Sequence, residues 1–185
     1  MRRKSNSDTF QVPLMFAFRS AFDGKDAKKR IEERVEGERV ISGRGSLKRR
    51  GADETILKRN LAVDLLALVN TIDLESVIDL EEHDFVRRSV LNFGLQDVSA
   101  LTSQEKGVAQ ISQNLMDALL QHEPRLSSGT LHVERDKEID DVNQRIRLTV
   151  SAEMACKPLD VPIEFIAEID VGSGKVQLSR LPGSS

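Results

Sequence analysis

The tripeptide Glu123-Pro124-Arg125 has the clearest potential for chemistry, because it joins a carboxylate, a rigid ring and a guanidinium. A helical pattern ends and an alternating pattern begins here, so the three residues are expected to form a corner. They can form a simple ion pair at a helix end, or a recognition site in which Arg125 makes bidentate contacts that a lysine could not imitate. Glu123 can also be read as the general acid of a glycosidase-like site, which needs a second carboxylate that the sequence does not identify.

Metal and nucleotide sites are not expected. The three histidines, His83, His122 and His132, are dispersed, and the single cysteine, Cys156, cannot by itself assemble a cysteine-rich zinc site. The glycine-rich segment 172–175 lacks the earlier glycine and the following Ser or Thr of a phosphate-binding loop, and it is typical of a hairpin turn instead. We therefore expect no cofactor and no bound metal.

The composition fits one ordinary domain with an appendage. The 185 residues are 39% apolar and 31% charged, which excludes collagen-like, wholly disordered and disulfide-framework chains. Residues 1–60 hold 16 Lys or Arg against 9 Asp or Glu, whereas residues 61–185 hold 11 against 21. A basic segment can bind nucleic acid, but acidic residues interrupt this one and the chain has no Tyr or Trp for base stacking. Nucleic acid is therefore not an expected partner.

The cellular location follows from the thiol count and the apolar runs. A lone cysteine favours a reducing compartment, so a cytoplasmic location is expected. The most apolar early segment, residues 10–22, is interrupted by Arg19 and is shorter than the roughly 20 residues of a spanning helix. We expect no direct membrane insertion.

Three segments have helical periodicity. Residues 54–70 place leucines at three- and four-residue spacing, and residues 81–91 have acids first and arginines later, as the helix dipole favours. A third helix begins with the capping box of Thr102 and Glu105 and extends to Gln121. These helices precede the alternating part of the chain.

The C-terminal part alternates apolar and polar residues with a period of two, which predicts strands with one solvated face. The alternating runs lie near residues 131–134, 146–154, 163–169 and 176–178. Short connections between consecutive strands predict antiparallel pairing. We predict an α+β fold, with about three N-terminal helices packed on one face of an antiparallel sheet of about four strands.

The chain is expected to divide into a basic arm, residues 1–52, and an α+β domain, residues 53–185. The arm has weak periodicity, and we interpret it as partly disordered or docked on a partner, with a charged helix near residues 26–38. An apolar cluster between residues 12 and 22 is unusual for a disordered tail, so we expect it to dock on the domain or on another protein.

Three motifs resemble those of a known family. The segment Asn60-Leu61-Ala62-Val63-Asp64-Leu65-Leu66-Ala67-Leu68-Val69-Asn70-Thr71 resembles the helix ending in "LLNT" of TssE, the baseplate wedge subunit family of bacterial type VI secretion systems. The segment 89–97, Ser-Val-Leu-Asn-Phe-Gly-Leu-Gln-Asp, resembles its "SVLNYGLPD" segment. Residues 123–125 match the Glu-Pro-Arg motif shared with the homologous wedge protein of contractile phage baseplates. The motifs occur in the family's order.

The resemblance implies a structural component of a contractile injection machine. Its partners would be the wedge subunits TssF, TssG and TssK and the sheath subunits TssB and TssC, at a baseplate anchored to the cytoplasmic side of the inner membrane. The Glu-Pro-Arg corner is implied to contact the helical bundle of the wedge partners, and the sheet to receive strands from the first sheath ring. We assign the partner interface to Glu123, Pro124, Arg125, Asn92, Phe93 and Gly94, with no catalytic residue.

Two other functions stay open on the sequence. Members of this family have been labelled lysozyme-like, so the alternative is a peptidoglycan hydrolase that uses Glu123. The other is a regulatory adaptor whose basic arm finds an acidic partner. Partner binding that depends on Arg125 favours assembly, whereas turnover that depends on Glu123 favours hydrolysis.

Overall fold

The computed structural model describes residues 10–11, 14–23, 25, 33–35, 38–40, 52–97, 105–136 and 145–180. The chain forms two compact units, each described here by itself. The first consists of Met1–Leu57 with Cys156–Leu159, and the second of Lys58–Ala155 with Asp160–Ser185. The predicted boundary between residues 52 and 53 stays a prediction.

The first unit contains helix α1, Leu14–Asp23. Its sequence is rich in apolar residues, with Phe18 and Phe22 one turn apart on the same side. Ahead of the helix, Phe10 pairs with Ala52 through two backbone hydrogen bonds of 2.9 Å. A segment expected only to dock therefore has a defined helical structure.

The first unit also contains a short hairpin. Strands β1, Glu33–Val35, and β2, Glu38–Val40, pair antiparallel with Val35 opposite Glu38. The helix predicted near residues 26–38 is therefore wrong over both strands, because a Glu-Arg-Val repeat meets its backbone hydrogen bonds across the hairpin rather than within a helix. The remaining residues of that predicted helix, 26–32, 36 and 37, lie outside the described residues.

Helix α2, Glu54–Val69, confirms the first predicted helix of the domain. The Asp53 carboxylate accepts a hydrogen bond of 3.3 Å from the Thr55 N–H, which satisfies one of the first free amides of the helix. The buried stripe consists of Leu57, Leu61, Leu65 and Leu68. The spacing of these leucines places them on one face of the helix.

The predicted helix over residues 81–91 is shorter than expected. Helix α3 spans only Asp84–Arg87, and a 3₁₀ turn follows at Val90–Asn92. No residue of α3 is buried, so apolar burial does not stabilise a longer helix. The Ser89 hydroxyl accepts the Leu91 N–H at 3.1 Å and starts the 3₁₀ turn instead.

Helix α4, Glu105–His122, confirms the third predicted helix. Its buried stripe is Val108, Ile111, Leu115 and Leu119, at three- and four-residue spacing. The predicted capping residue Thr102 lies outside the described residues. The helix ends immediately before the Glu-Pro-Arg corner.

The sheet has four antiparallel strands in the order β3–β4–β5–β6. The strands are β3, His132–Arg135; β4, Arg145–Met154; β5, Val161–Asp170; and β6, Val176–Ser179. In the long central pair, Leu148 lies opposite Ala167, and burial alternates along β4 as the sequence predicts. The hairpin between β5 and β6 turns at Gly174, whose φ is +66°.

The core of the second unit joins the apolar face of the sheet with the stripe of α4 and with Leu61, Leu65 and Leu68 of α2. Phe165 is the largest fully buried side chain, and most of the other core residues are Leu, Ile and Val. The opposite sheet face is polar and includes the 2.6 Å ion pair of Arg147 with Glu168. The predicted α+β fold is confirmed.

Candidate functional site

The Glu-Pro-Arg corner is a tight turn between α4 and β3. The Glu123 N–H still donates to the Leu119 carbonyl at 2.9 Å, and the Glu123 carbonyl accepts the Leu126 N–H at 3.1 Å. Glu123 therefore belongs both to the last helical turn and to the turn that follows. Pro124 cannot donate a backbone hydrogen bond, so the helix stops here.

Glu123 and Arg125, on either side of the proline, form a bidentate ion pair. The Arg125 Nε donates to Glu123 Oε1 at 2.6 Å, and the Arg125 Nη2 donates to Glu123 Oε2 at 2.5 Å. The Arg125 backbone N–H also donates to Oε1, at 3.3 Å. Glu123 is only 5% exposed, so its charge is paired inside the fold rather than presented to solvent.

Asp64 is a third member of the corner, and it was not predicted from the sequence. The Arg125 Nη2 donates to Asp64 Oδ2 at 2.7 Å, which connects the corner to the middle of α2. Asp64 is the single charged residue between residues 60 and 71, inside an otherwise apolar run. That isolation was the available signal, because an acid on an apolar helix is expected to have a cationic partner.

The electrostatics of the corner keep Arg125 charged. Burial disfavours the guanidinium, but the hydrogen bonds and charges of Glu123 and Asp64 outweigh burial, so the pKa of Arg125 lies above its ordinary value. The bonds to these two carboxylates use Nε and Nη2 only. The Arg125 side chain is 27% exposed, and Pro124 is exposed beside it. The corner can therefore offer Nη1 and the proline ring to another molecule.

The corner is also attached to the end of the sheet. The Ala155 N–H donates to the Arg125 carbonyl at 2.7 Å, and the Ser127 N–H donates to the Glu153 carbonyl at 2.8 Å. Leu126 bridges to Met154 between these two bonds. Arg125 is thus held by a helix and a turn through its side chain and by a strand end through its backbone.

The second predicted group, Asn92, Phe93 and Gly94, lies in the connection between α2 and α4. Asn92 is buried, and its amide accepts the Glu75 N–H at 2.8 Å and donates to the Arg87 carbonyl at 3.1 Å. Its side-chain oxygen and nitrogen are thus both engaged within the connection. These contacts stabilise the conformation of the loop. The assignment of Asn92 to a partner interface stays a prediction.

Gly94 lies where the chain passes very close to the end of α2. Its φ is +144°, and a Cβ built there would lie 2.4 Å from the Thr71 carbonyl oxygen. Backbone bonds fix this approach, since Leu95 N–H donates to Thr71 O at 2.7 Å and Asp73 N–H donates to Leu95 O at 3.1 Å. Only glycine fits this position. Like Asn92, Gly94 stays a predicted interface residue.

Phe93 joins this connection to the helix that leads into the corner. Its ring contacts the His122 ring edge to face, with 5.3 Å between centroids. Burial of the imidazole lowers the pKa of His122, against the opposing effects of a hydrogen bond to the Asn92 backbone and the charge of Asp73. The two predicted groups therefore meet through His122, which lies next to Glu123.

The two edges of the sheet differ. On the β6 edge, the Asn70 side chain donates to the Val176 carbonyl at 2.9 Å and accepts the Val176 N–H at 3.1 Å. On the β3 edge, the Asp136 N–H donates to Arg147 O, so alternation turns the backbone groups of Val133 and Arg135 away from β4. Within the part of the chain that the structure describes, these outward groups have no hydrogen-bond partner.

The family of this chain is identified by a match to a known protein family. A family model described as "Baseplate wedge protein gp25" matches residues 55–159, which is more than half of the chain. The chain belongs to the gp25 baseplate wedge family. No curated protein and no solved structure matches it. The recognition made from the three motifs is confirmed.

As a gp25-family wedge protein, the chain is a structural component of the baseplate of a contractile machine. The matched region contains Asp64, the three loop residues Asn92, Phe93 and Gly94, and the whole Glu-Pro-Arg corner. Helix α1 and the hairpin of the first unit lie outside it. No helix in the described part of this gp25-family chain is long and apolar enough to cross a membrane.

Two surface hollows in this gp25-family domain lie away from Glu123. A groove of about 450 Å³ beside α4 is lined by Glu75, Arg87, Arg88, Asp117, Leu120 and Gln121. A hollow of about 550 Å³ on the sheet includes His132 and Ser151 in its lining. Glu123 lines neither hollow. Among the described residues, no cluster of three or more His, Cys, Asp or Glu side chains could hold a metal ion.

Proposed function

We propose that this chain is the TssE-type wedge subunit of a type VI secretion baseplate, assembled at the cytoplasmic side of the inner membrane. It binds TssF, TssG and TssK through the Glu-Pro-Arg corner and starts the TssB–TssC sheath by strand addition. The observation that carries this proposal is the geometry of Arg125. Its Nε and Nη2 are held by Glu123 and Asp64, while its Nη1 has no hydrogen-bond partner among the described residues.

The corner suits recognition because its geometry exists before a partner arrives. Ordering a long cationic side chain at an interface costs about 0.5–1.5 kcal/mol, and the two carboxylates have already ordered Arg125. Arginine is also enriched among residues that dominate binding energy at protein interfaces. A partner carbonyl or carboxylate at the end of a helix would complete the hydrogen bonding of Nη1.

The sheet suits strand addition at β3 rather than β6. The Asn70 amide already occupies the outward groups of Val176, the first of the two residues of β6 whose backbone groups face away from β5. Among the described residues, the outward groups of Val133 and Arg135 on β3 have no partner, and an extended segment can pair with such a row. We therefore assign the sheath-accepting edge to β3.

The corner is tested by co-purification with TssF and TssG. Arg125→Ala should abolish capture of both, and Arg125→Lys should recover little because a lysine has no fork to share between carboxylates and partner. Arg180→Ala is the matched control, since Arg180 also forms a 2.6 Å ion pair, with Glu164, but outside the corner. Wild-type capture by Arg125→Ala, with normal sheath assembly in cells, would remove the corner from the proposal.

The edge is tested separately by counting sheaths in cells. Arg135→Pro removes one outward N–H of β3 and should reduce sheath assembly strongly, whereas Arg135→Ala keeps that N–H and should assemble normally. Capture of TssF and TssG should be unchanged in both variants. Equal sheath counts in the two variants would show that β3 is not the accepting edge.

We assign no catalytic role to Glu123. Both of its oxygens accept hydrogen bonds from Arg125, so neither is placed as a proton donor to a sugar. The purified chain should release no fragments from peptidoglycan even at high protein concentration. Release that disappears in Glu123→Gln would establish the hydrolase instead.

A further inference from the structure

Helix α1 carries an apolar stripe that faces solvent. Met15, Phe18 and Phe22 follow one another at three- and four-residue spacing, so they lie on one side of the helix. They are 69%, 61% and 82% exposed. Phe16 and Arg19 are only half-exposed, so the stripe is not simply the consequence of an unpacked helix. Such a stripe on an ordered helix indicates a binding surface.

The charges around the stripe limit what can bind it. Residues 1–30 contain eight Lys or Arg and three Asp, and the basic residues lie on both sides of α1 in the sequence. Lys25 lies two residues after the end of the helix and is exposed, with its N–H bonded to the Phe22 carbonyl at 3.0 Å. An apolar stripe between basic segments is complementary to a surface that is apolar below and negatively charged above.

We propose that α1 binds the surface of an anionic lipid bilayer without crossing it, lying in the plane of the headgroups with Met15, Phe18 and Phe22 in contact with the upper acyl chains. A helix of 10 residues is about 15 Å long, so it lies on the bilayer and does not cross it. The basic residues that flank it in the sequence supply attraction to the anionic headgroups.

The size of the stripe favours a lipid surface over a protein groove. Three side chains of this kind offer well under the roughly 800 Å² that one partner contributes to a stable protein interface. Reversible membrane attachment requires only a modest apolar contact combined with a polybasic segment, and both occur here. The proposal concerns a part of the chain that lies outside the matched family region.

The test is flotation of the full chain with vesicles of phosphatidylethanolamine and phosphatidylglycerol, compared with vesicles of phosphatidylcholine. The chain should float with the anionic vesicles at low salt and much less at high salt or with phosphatidylcholine. A variant with Phe18→Ser and Phe22→Ser should lose at least about tenfold in the bound fraction. Its circular dichroism should stay unchanged, because both side chains are exposed.

Phe85→Ser is the matched control, because Phe85 is 96% exposed but belongs to the second unit. It should float like the wild type. The chain has no tryptophan, so Phe18→Trp adds a single fluorophore whose emission should move to shorter wavelength with anionic vesicles. Failure of the wild type to float, an equal loss in Phe85→Ser, or an unshifted emission in Phe18→Trp would each overturn the proposal. A protein-binding stripe would give the first of these results.

Discussion

The Asn70 side chain pairs with the backbone of Val176 on both its N–H and its carbonyl, at 3.1 and 2.9 Å. It therefore takes the place of a neighbouring strand at the start of β6. Asn70 follows the last residue of α2, so one amide both ends a helix and closes part of a sheet edge. The two edges of the sheet are thereby made unequal.

Asn70→Ala should lower the free energy of unfolding by about 1–3 kcal/mol, because both polar groups of the buried Val176 lose their partner. Urea denaturation measures the change. Asn114→Ala is the control, since among the described residues the Asn114 side chain bonds only to that of the exposed Gln96. It should change stability by less than about 0.5 kcal/mol. Equal effects of the two variants would show that the hydrogen bonds between Asn70 and Val176 do not stabilise the fold.

The two acids around Arg125 should differ in their effect on stability. Glu123 is almost fully buried, so Glu123→Gln should cost roughly 1–3 kcal/mol, whereas Asp64 is half-buried and Asp64→Asn should cost about 1 kcal/mol or less. Because both contact the same guanidinium, the double variant should show a coupling of at least about 0.5 kcal/mol. Strict additivity in urea denaturation would mean that Arg125 does not link them.

Two glycines provide a matched pair. Gly94→Ala forces a Cβ to within 2.4 Å of Thr71 O at a φ of +144°, so strain alone should cost roughly 1–3 kcal/mol, with further loss from displacement of Thr71. Gly129→Ala meets nothing within 4 Å and should be close to neutral. Thermal denaturation compares them, and a stable Gly94→Ala variant would show that the close approach is not maintained in solution.

His122 should make stability depend on pH. The pKa of His122 is lowered in the fold, chiefly by burial. As the pH falls below the ordinary value of 6.5, the unfolded chain therefore binds more protons than the folded chain does. The contribution of neutral His122 to the free energy of unfolding is complete above pH 6.5. It is lost as the pH falls through the pKa of His122 in the folded state. His122→Gln should reduce the loss of stability between pH 7.5 and 5.5 in urea titrations. An unchanged pH dependence would contradict this assignment.

Periodicity predicted the long elements well because their burial is regular. The leucines of α2 and the alternation along β4 fixed both the element type and the buried face. The pattern failed at α3, which buries nothing, and in the hairpin of β1 and β2. At such positions local hydrogen bonds select the structure, and single-sequence patterns do not contain them.

The candidate site was predicted in part. Glu123, Pro124 and Arg125 do form a corner, as the change of period indicated. Asp64 could not be placed, because its contact with Arg125 spans 61 residues and depends on how α2 packs. The bonds of Asn70 to Val176 join residues 106 positions apart and were equally hidden. Long-range pairings of this kind follow from the tertiary fold and not from sequence spacing.

The three-way contact of Arg125 with Glu123 and Asp64 has a consequence for quality control. In a molecule whose α2 has not packed against the rest of the domain, Asp64 cannot reach Arg125. One of the two carboxylates that fix the position of the guanidinium is then missing. Under the proposed recognition of Arg125 by the wedge partners, only folded subunits are therefore expected to join the baseplate.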